Sequence, residues 1–422
     1  MSRHLAVAFA IFMCVGVMDA NAEACRYRQS APPQADANRL VTRDNWLAGE
    51  HVRIGLQAPQ RFMPGVLMRS GVQADRLSKS PSSIDLDRQM AVDPDDDSKQ
   101  SLRFLLDARL DADGIIVLKG GEIMLENYRT GFSPAAPRLL LQGTRPILSA
   151  MLASAVDRGR LSRTKSVGRL IPDLTKVSDL RKISLQRLLD DRTGLTWSAD
   201  DRRQWRDAAG WGGAGATSPG IRAWLKKRRA WPRKAGLPPT DSRTPDGELL
   251  VWALERATKE PVYRVLCESV LAAIGAEDEA FWASDAAGTE LADGLALSLR
   301  DFARLGAALI DARTRSGGSL VAPKWFIESL AAAVAHKDPP PDALQGLGDD
   351  TAWRYRYVSL GRSHQSAIVG PYGNSLFMDF DRNIVIAIYA SFPKDYSPLL
   401  LRSLRNVWSA IDAADGTAPV HR

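Results

Sequence analysis

Histidine is scarce in this chain. Its five copies, His4, His51, His336, His364 and His421, are scattered over 422 residues. Zinc sites need His or Cys in closely spaced pairs, and no such spacing occurs. No metal and no cofactor is therefore expected. There is no Gly-x-Ser-x-Gly elbow and no Ser-His-Asp order, which argues against the hydrolases built on those arrangements. Internal repeats are absent. No apolar run beyond the first residues is long enough to cross a bilayer. Cysteine numbers only three, too few for a disulfide-built scaffold.

What is present is an ordinary globular composition, 45% hydrophobic and 25% charged, with a net charge of +7. The basic residues are dispersed except at Lys226-Lys227-Arg228-Arg229. That cluster reads as a solvated helix end, because no nucleic-acid motif accompanies it. No nucleic-acid partner is expected.

The N-terminus has the form of a secretory leader. Arg3 and His4 precede an apolar run from Leu5 to Val17, and Ala20-Asn21-Ala22 offers a small-residue cleavage site. Residues 1–22 are assigned to this signal peptide. The expected mature chain is periplasmic or secreted, with no integral membrane segment. Cys14 leaves with the leader. Cys25 and Cys267 then remain in an oxidising compartment, either as a disulfide or as two free thiols.

Residues 23–103 are rich in Pro, Asp and Ser and read as a partly irregular extension draped over the main domain. The main domain is placed at 104–413. Two β-runs surround Gly120-Gly121, the signature of a hairpin over 114–128. The stretch Arg138 to Leu174 begins extended and enters a helix at Gln142-Gly143-Thr144-Arg145-Pro146. Pro146 suits the first helical turn and Gly159 a left-handed end. Trp197, Trp205 and Trp211 fall in a loop rich in Gly and Asp, and Trp224 to Trp231 reads as a short basic helix. Asp246 to Thr258 has an apolar helical face. Strand-like runs return at 351–360, 375–380 and 384–390, and an amphipathic helix over 397–413 closes the chain. The fold class that follows is α/β (α+β): one antiparallel sheet from both chain ends (104–141 and 350–413), with a mostly helical half (142–349) inserted.

Several of these segments carry a resemblance. Gly159-Arg160-Leu161, Leu170-Ile171-Pro172-Asp173-Leu174 and Ile183 to Leu195 resemble turns of the β-lactamase-related serine hydrolases, which include penicillin-binding-protein-like carboxypeptidases. Ala280-Phe281-Trp282, Asp301 to Gly306 and Val321 to Trp325 are similar to the 6-aminohexanoate-dimer hydrolase branch. The resemblance implies a Ser-x-x-Lys at the start of the central helix, a Tyr in the helical half and a Lys or His beside Gly on a late strand.

At those positions the chain has other residues. Counting back from Gly159 puts Gln142 at the Ser position and Arg145 at the Lys position. Counting back from Leu249-Leu250 puts Ser242 and Thr244 in the Tyr motif. The late-strand motif reads Gly370-Pro371-Tyr372-Gly373, with Pro371 where Lys or His is usual. An amide is no nucleophile, and a guanidinium stays protonated and cannot act as a base. Two Ser-x-x-Lys strings, at Ser162 and Ser391, do not open an apolar helix, and nothing is placed to activate Thr144 or Ser149. No catalytic residue is assigned. The expectation is a non-hydrolytic binding or scaffold protein whose cleft, around Gln142, Arg145, Ser242, Thr244, Pro371, Tyr372 and Gly373, takes a small acyl, peptide or cell-wall-derived ligand. In that cleft Arg145 would pair a ligand carboxylate or an internal Asp. An active serine hydrolase with a non-standard nucleophile is the alternative.

Overall fold

Gly120 and Gly121 both take positive φ, +57° and +86°, which L-residues with a Cβ avoid. They close a tight turn between Ala112–Lys119 and Glu122–Tyr128, the expected hairpin. The computed structural model describes residues 25–30, 40–72, 76–174, 176–211, 218–228, 246–314, 321–332, 339–361 and 364–414.

The strands in chain order are β1 (Cys25–Gln29), β2 (Gly65–Ser70), β3 (Met90–Val92), β4 (Lys99–Ser101), β5 (Ala112–Lys119), β6 (Glu122–Tyr128) and β7 (Arg138–Leu139). They continue as β8 (Ala280–Ser284), β9 (Glu290–Leu297), β10 (Ala352–Arg354), β11 (Tyr357–Ser359), β12 (Gln365–Val369), β13 (Ser375–Asp379) and β14 (Ile384–Ala390). One antiparallel sheet runs β10-β11-β12-β13-β14-β5-β6. The pair β14-β5 joins the two chain ends, with Ile386 opposite Val117 and Ile388 opposite Ile115. The mixed antiparallel fold expected from the sequence is therefore the fold observed.

Strand β14, IVIAIYA, is buried on both faces. The two-residue period of a strand sends alternate side chains to opposite cores. Ile384, Ile386 and Ile388 join Leu404, Val407 and Trp408 of the closing helix Pro398–Ala414. Val385, Ala387 and Tyr389 join Phe302, Leu305 and Leu309 of helix Leu299–Thr314. That helix approaches closely at Gly306, where an added Cβ would stand 2.7 Å from Val385 Cγ1. The turn before β14 uses Asp379, whose Oδ1 accepts from the backbone N–H of Asp381 and of Arg382.

Several expectations need correction. A second antiparallel sheet, β1-β2-β8-β9-β7, crosses the region read as helical. Its strands β8 and β9 are buried throughout, and a short, wholly apolar run such as AFWAS carries no alternation to distinguish strand from helix. Among the described residues of 23–103, β1 and β2 are integral to this second sheet and β3 and β4 form a ribbon, so these parts are not an extension lying over the domain. Cys25 at the start of β1 is bonded to Cys267, which settles the two alternatives for these residues. Asp200 to Arg206 lies in a helix, Ala199–Ala209, opened by a capping box in which Ser198 and Asp201 exchange hydrogen bonds. The basic helix is Ile221–Lys227, beginning earlier than Trp224 and ending before Trp231, which lies outside the described residues.

Candidate functional site

The site is assembled by Arg138. It stands on β7, which β9 holds through the pairs Arg138 with Leu297 and Leu139 with Ala296. Its guanidinium is fully buried and paired with Asp113 on β5 at 2.7 Å. It also donates to Asn374 Oδ1 at 2.9 Å, to the Ala390 carbonyl and to Ser391 Oγ at 3.1 Å. One buried cation thus ties the approach to the central helix to the loop after β12 and to the end of β14. Ser391 donates to Asp113 at 2.5 Å, so the hydroxyl of this Ser-x-x-Lys string is a buried structural partner.

Past Leu139 the chain turns sharply. Leu141 takes φ +51°, a strained conformation for a branched side chain, inside the 3-10 turn Leu141–Gly143. The central helix Thr144–Asp157 follows. All its residues from Thr144 to Ala155 are buried, and Gly159 at φ +71° ends it as expected. The hydroxyls of Thr144 and Ser149 are buried with no hydrogen-bond partner among the described residues, and neither residue lines the cavity described next. Ser162 lies exposed in the turn beyond, bonded to Thr164.

Gln142 at this turn and Arg145 line a cavity of about 620 Å³. Opposite stands Tyr372, at φ +60° in the 3-10 turn Pro371–Gly373, whose hydroxyl donates to the Leu47 carbonyl at 3.2 Å. Pro371 and Gly373 are buried beside it. Of the expected cleft positions, Gln142, Arg145 and Tyr372 therefore share one cavity. Ser242 and Thr244 lie outside the described residues.

Arg145 is held from within. Its Nε donates to Asp293 Oδ1 at 2.7 Å and its Nη2 to Oδ2 at 3.0 Å, with both groups buried. Asp293 holds the guanidinium more firmly protonated than usual, against the opposing effect of burial. Helix Asp246–Thr258 comes so close that a Cβ on Gly247 would meet Arg145 Nε at 2.8 Å. From the same helix Glu248 is buried, and burial with the nearby Asp293 charge pushes its carboxyl up to about 8. Asp246, raised to about 7 by burial and Asp191, lies 2.7 Å from the Thr193 hydroxyl. Of the two partners considered for Arg145, the internal carboxylate is the one observed.

The remaining wall is aromatic. Trp46 and Trp211 meet edge to face at 5.5 Å, Trp205 lies 5.7 Å from Trp211, and Trp197 lies 6.1 Å from Trp205. All four line the cavity. Arg202, Arg203 and Arg206 of helix Ala199–Ala209 complete it. Sequence reasoning missed Asp293, Glu248, Trp46 and these arginines. The only local signal was the density of Trp between 197 and 211, with the Ser-x-x-Asp capping pattern that marks the helix.

Among known proteins, the beta-lactamase family model matches residues 115–403. The 6-aminohexanoate-dimer hydrolase of Paenarthrobacter ureafaciens is 23% identical over 289 residues, 67% of this chain and 73% of that one. A Bacillus anthracis structure provisionally assigned as a 6-aminohexanoate-dimer hydrolase superposes with a TM-score of 0.74 at 19% identity, over 91% of this chain and 98% of that one. Simvastatin synthase (LovD) from Aspergillus terreus, unliganded, gives a TM-score of 0.52 at 12% identity, over 74% of this chain and 96% of that one. The two-ended antiparallel sheet, the buried helix behind Gln142 and the match over most of the chain place this protein in the beta-lactamase family.

Proposed function

We propose that this chain is an exported member of the family that binds a small ligand in the Gln142–Tyr372 cavity without hydrolysing it. The carrying observation is what lies at the start of the central helix: an amide at 142, and one turn on a guanidinium closed by Asp293. Acyl transfer needs a hydroxyl or thiol and a base able to take its proton. Among the described residues that line the cavity there is no Ser, Thr, Cys, Lys or His; the hydroxyl there is that of Tyr372, which donates to the Leu47 carbonyl, and the carboxylates are Asp44, Asp395 and the Arg145-paired Asp293. In this reading Gln142 and Arg145 occupy the nucleophile and base positions, and Pro371 the late-strand position.

Export is proposed on the leader-like segment Leu5 to Val17 and is supported by the Cys25–Cys267 bond, which persists in oxidising compartments. N-terminal sequencing of extracytoplasmic protein is expected to start near Glu23. Recovery of chains that retain Leu5 to Val17 would refute export.

The alternative reading, an active serine hydrolase, is favoured by the name of the Paenarthrobacter ureafaciens relative, a 6-aminohexanoate-dimer hydrolase. Intact-mass spectrometry separates the two. After incubation with an acylating β-lactam and, separately, with a fluorophosphonate, the mass is expected to stay unchanged. A stoichiometric adduct would overturn the non-hydrolytic reading, and peptide mapping to Ser162, Ser242, Thr244 or another hydroxyl would name the nucleophile.

A further inference from the structure

We propose that the ligand of this cavity is a ring-bearing carboxylate, with its ring on the half-buried Trp205 indole, backed by Trp211 and Trp46, and its carboxylate on Arg206 and Arg203. The inference rests on the non-hydrolytic reading above and adds the chemical class of the ligand.

The cavity lining sets four arginines, Arg145, Arg202, Arg203 and Arg206, against three aspartates, Asp44, Asp293 and Asp395. Arg145 is consumed by Asp293. Arg202 donates to the Trp197 carbonyl at 2.8 Å, which fixes it as part of the wall. Arg203 pairs with Asp200 across one helical turn, with both side chains largely exposed. Such surface pairs contribute little and exchange readily. Arg206 is exposed, and its guanidinium has no hydrogen-bond or ion-pair partner among the described residues. Positions 199, 202, 203 and 206 fall on one face of a helix, and all four residues line the cavity. The face therefore presents two available guanidinium groups on adjacent turns, and guanidinium binds carboxylate through paired N–H donors.

The aromatic wall specifies the remainder of the ligand. A cavity of about 620 Å³ accepts a molecule of small-ligand size. Trp205, half-buried and packed on Trp211, which in turn meets the wholly buried Trp46, offers stacking surface to a flat aromatic ring or to the apolar face of a sugar ring. Trp197 and Trp211 are each more than nine-tenths buried, and their indole N–H groups have no acceptor among the described residues. Buried donors without acceptors are uncommon in folded proteins. Ring or side-chain oxygens of a ligand would supply acceptors. The Gln142 carbonyl oxygen, also without a partner among the described residues, would accept from a ligand hydroxyl or amide.

Titration calorimetry on the full mature chain, with tryptophan fluorescence as a second readout, tests the class and its source. Benzoate is compared with benzamide, and glucuronate with glucose. At least one acid is expected to bind about tenfold tighter than its uncharged counterpart. Arg206→Ala should abolish that preference, Arg206→Lys should restore part of it, and the distant Arg103→Ala should leave it intact. Circular dichroism of each variant checks folding. Preference for benzoate alone assigns the ring as aromatic, and preference for glucuronate alone assigns a sugar acid. Equal binding of acid and neutral counterpart, or no binding of either acid up to about 10 mM, overturns the inference while leaving the non-hydrolytic reading standing. A covalent adduct in the mass experiment, with the acid preference retained, removes that reading and not this one.

Discussion

Arg145 and Asp293, 148 residues apart in sequence, form a two-point ion pair sealed beneath the cavity. A buried pair gains little over apolar residues of equal volume, because desolvation of both charges offsets their attraction. Breaking it from one side is another matter. Asp293→Ala is expected to lower stability by about 3–5 kcal/mol, because it strands a buried guanidinium. The double variant Arg145→Met with Asp293→Leu should recover most of that loss. Urea unfolding of the wild type, Arg145→Met, Asp293→Leu and the double variant gives the coupling directly. A loss under 1 kcal/mol for Asp293→Ala would contradict the buried pairing, being about what an exposed pair contributes.

Glu248 predicts how stability depends on pH. Its carboxyl is pushed up to about 8 by burial and by the Asp293 charge, with Arg145 opposing. An unfolded glutamate titrates near 4.3, so between these values the folded chain holds a proton that the unfolded chain has released. Its contribution is complete below the unfolded value and is lost as pH rises through the folded one. Stability should therefore fall between about pH 5 and pH 9. Glu248→Gln should flatten that fall, because the amide keeps the neutral shape without ionising. Thermal unfolding across this range checks it, and an unchanged slope in the variant would exclude Glu248 as the source.

The bond between Cys25 and Cys267 closes a loop of 242 residues and fastens β1 to the segment that follows helix Val262–Leu266. Cross-links over long loops stabilise largely by restricting the unfolded chain. Cys25→Ser or Cys267→Ser is expected to cost about 2–5 kcal/mol. The free-thiol count of the native protein should be zero after leader removal. Two titratable thiols in freshly purified extracytoplasmic protein would refute the bond.

The parts of this fold that were legible in the sequence are those with local signatures. Gly120-Gly121 announced the hairpin, the β-branched run at 384–390 behind the Asp381-Arg382-Asn383 turn announced β14, and Pro146 and Gly159 bracketed the central helix. The second sheet was not legible, because β8 and β9 are buried on all sides and lack the polar alternation that reveals a strand. The site divides in the same way. Gln142 and Arg145 were found by counting from Gly159, and Tyr372 from its flanking glycines. Asp293, Trp46 and the Ala199–Ala209 arginines reach the cavity only through long-range pairing. Trp46 lies upstream of the region that the family model covers, in a segment whose composition suggested irregular chain.

The Arg145–Asp293 pair bears finally on whether activity can be restored. Gln142→Ser places a hydroxyl at the sharp turn, and Arg145→Lys places an amine one helical turn on. A base must hold a free lone pair, and a lysine at 145 would face the Asp293 carboxylate in a buried site. An opposite charge at such range favours the protonated amine. The double variant is therefore expected to remain unacylated, with no mass shift after prolonged exposure to an acylating β-lactam. Adding Asp293→Asn removes the charge that holds the proton while keeping hydrogen-bonding capacity. That triple variant is expected to acylate faster than the double, within the roughly 10²–10⁴-fold that general base catalysis typically supplies. Efficient acylation of the double variant at position 142 would show that Asp293 does not control the proton there.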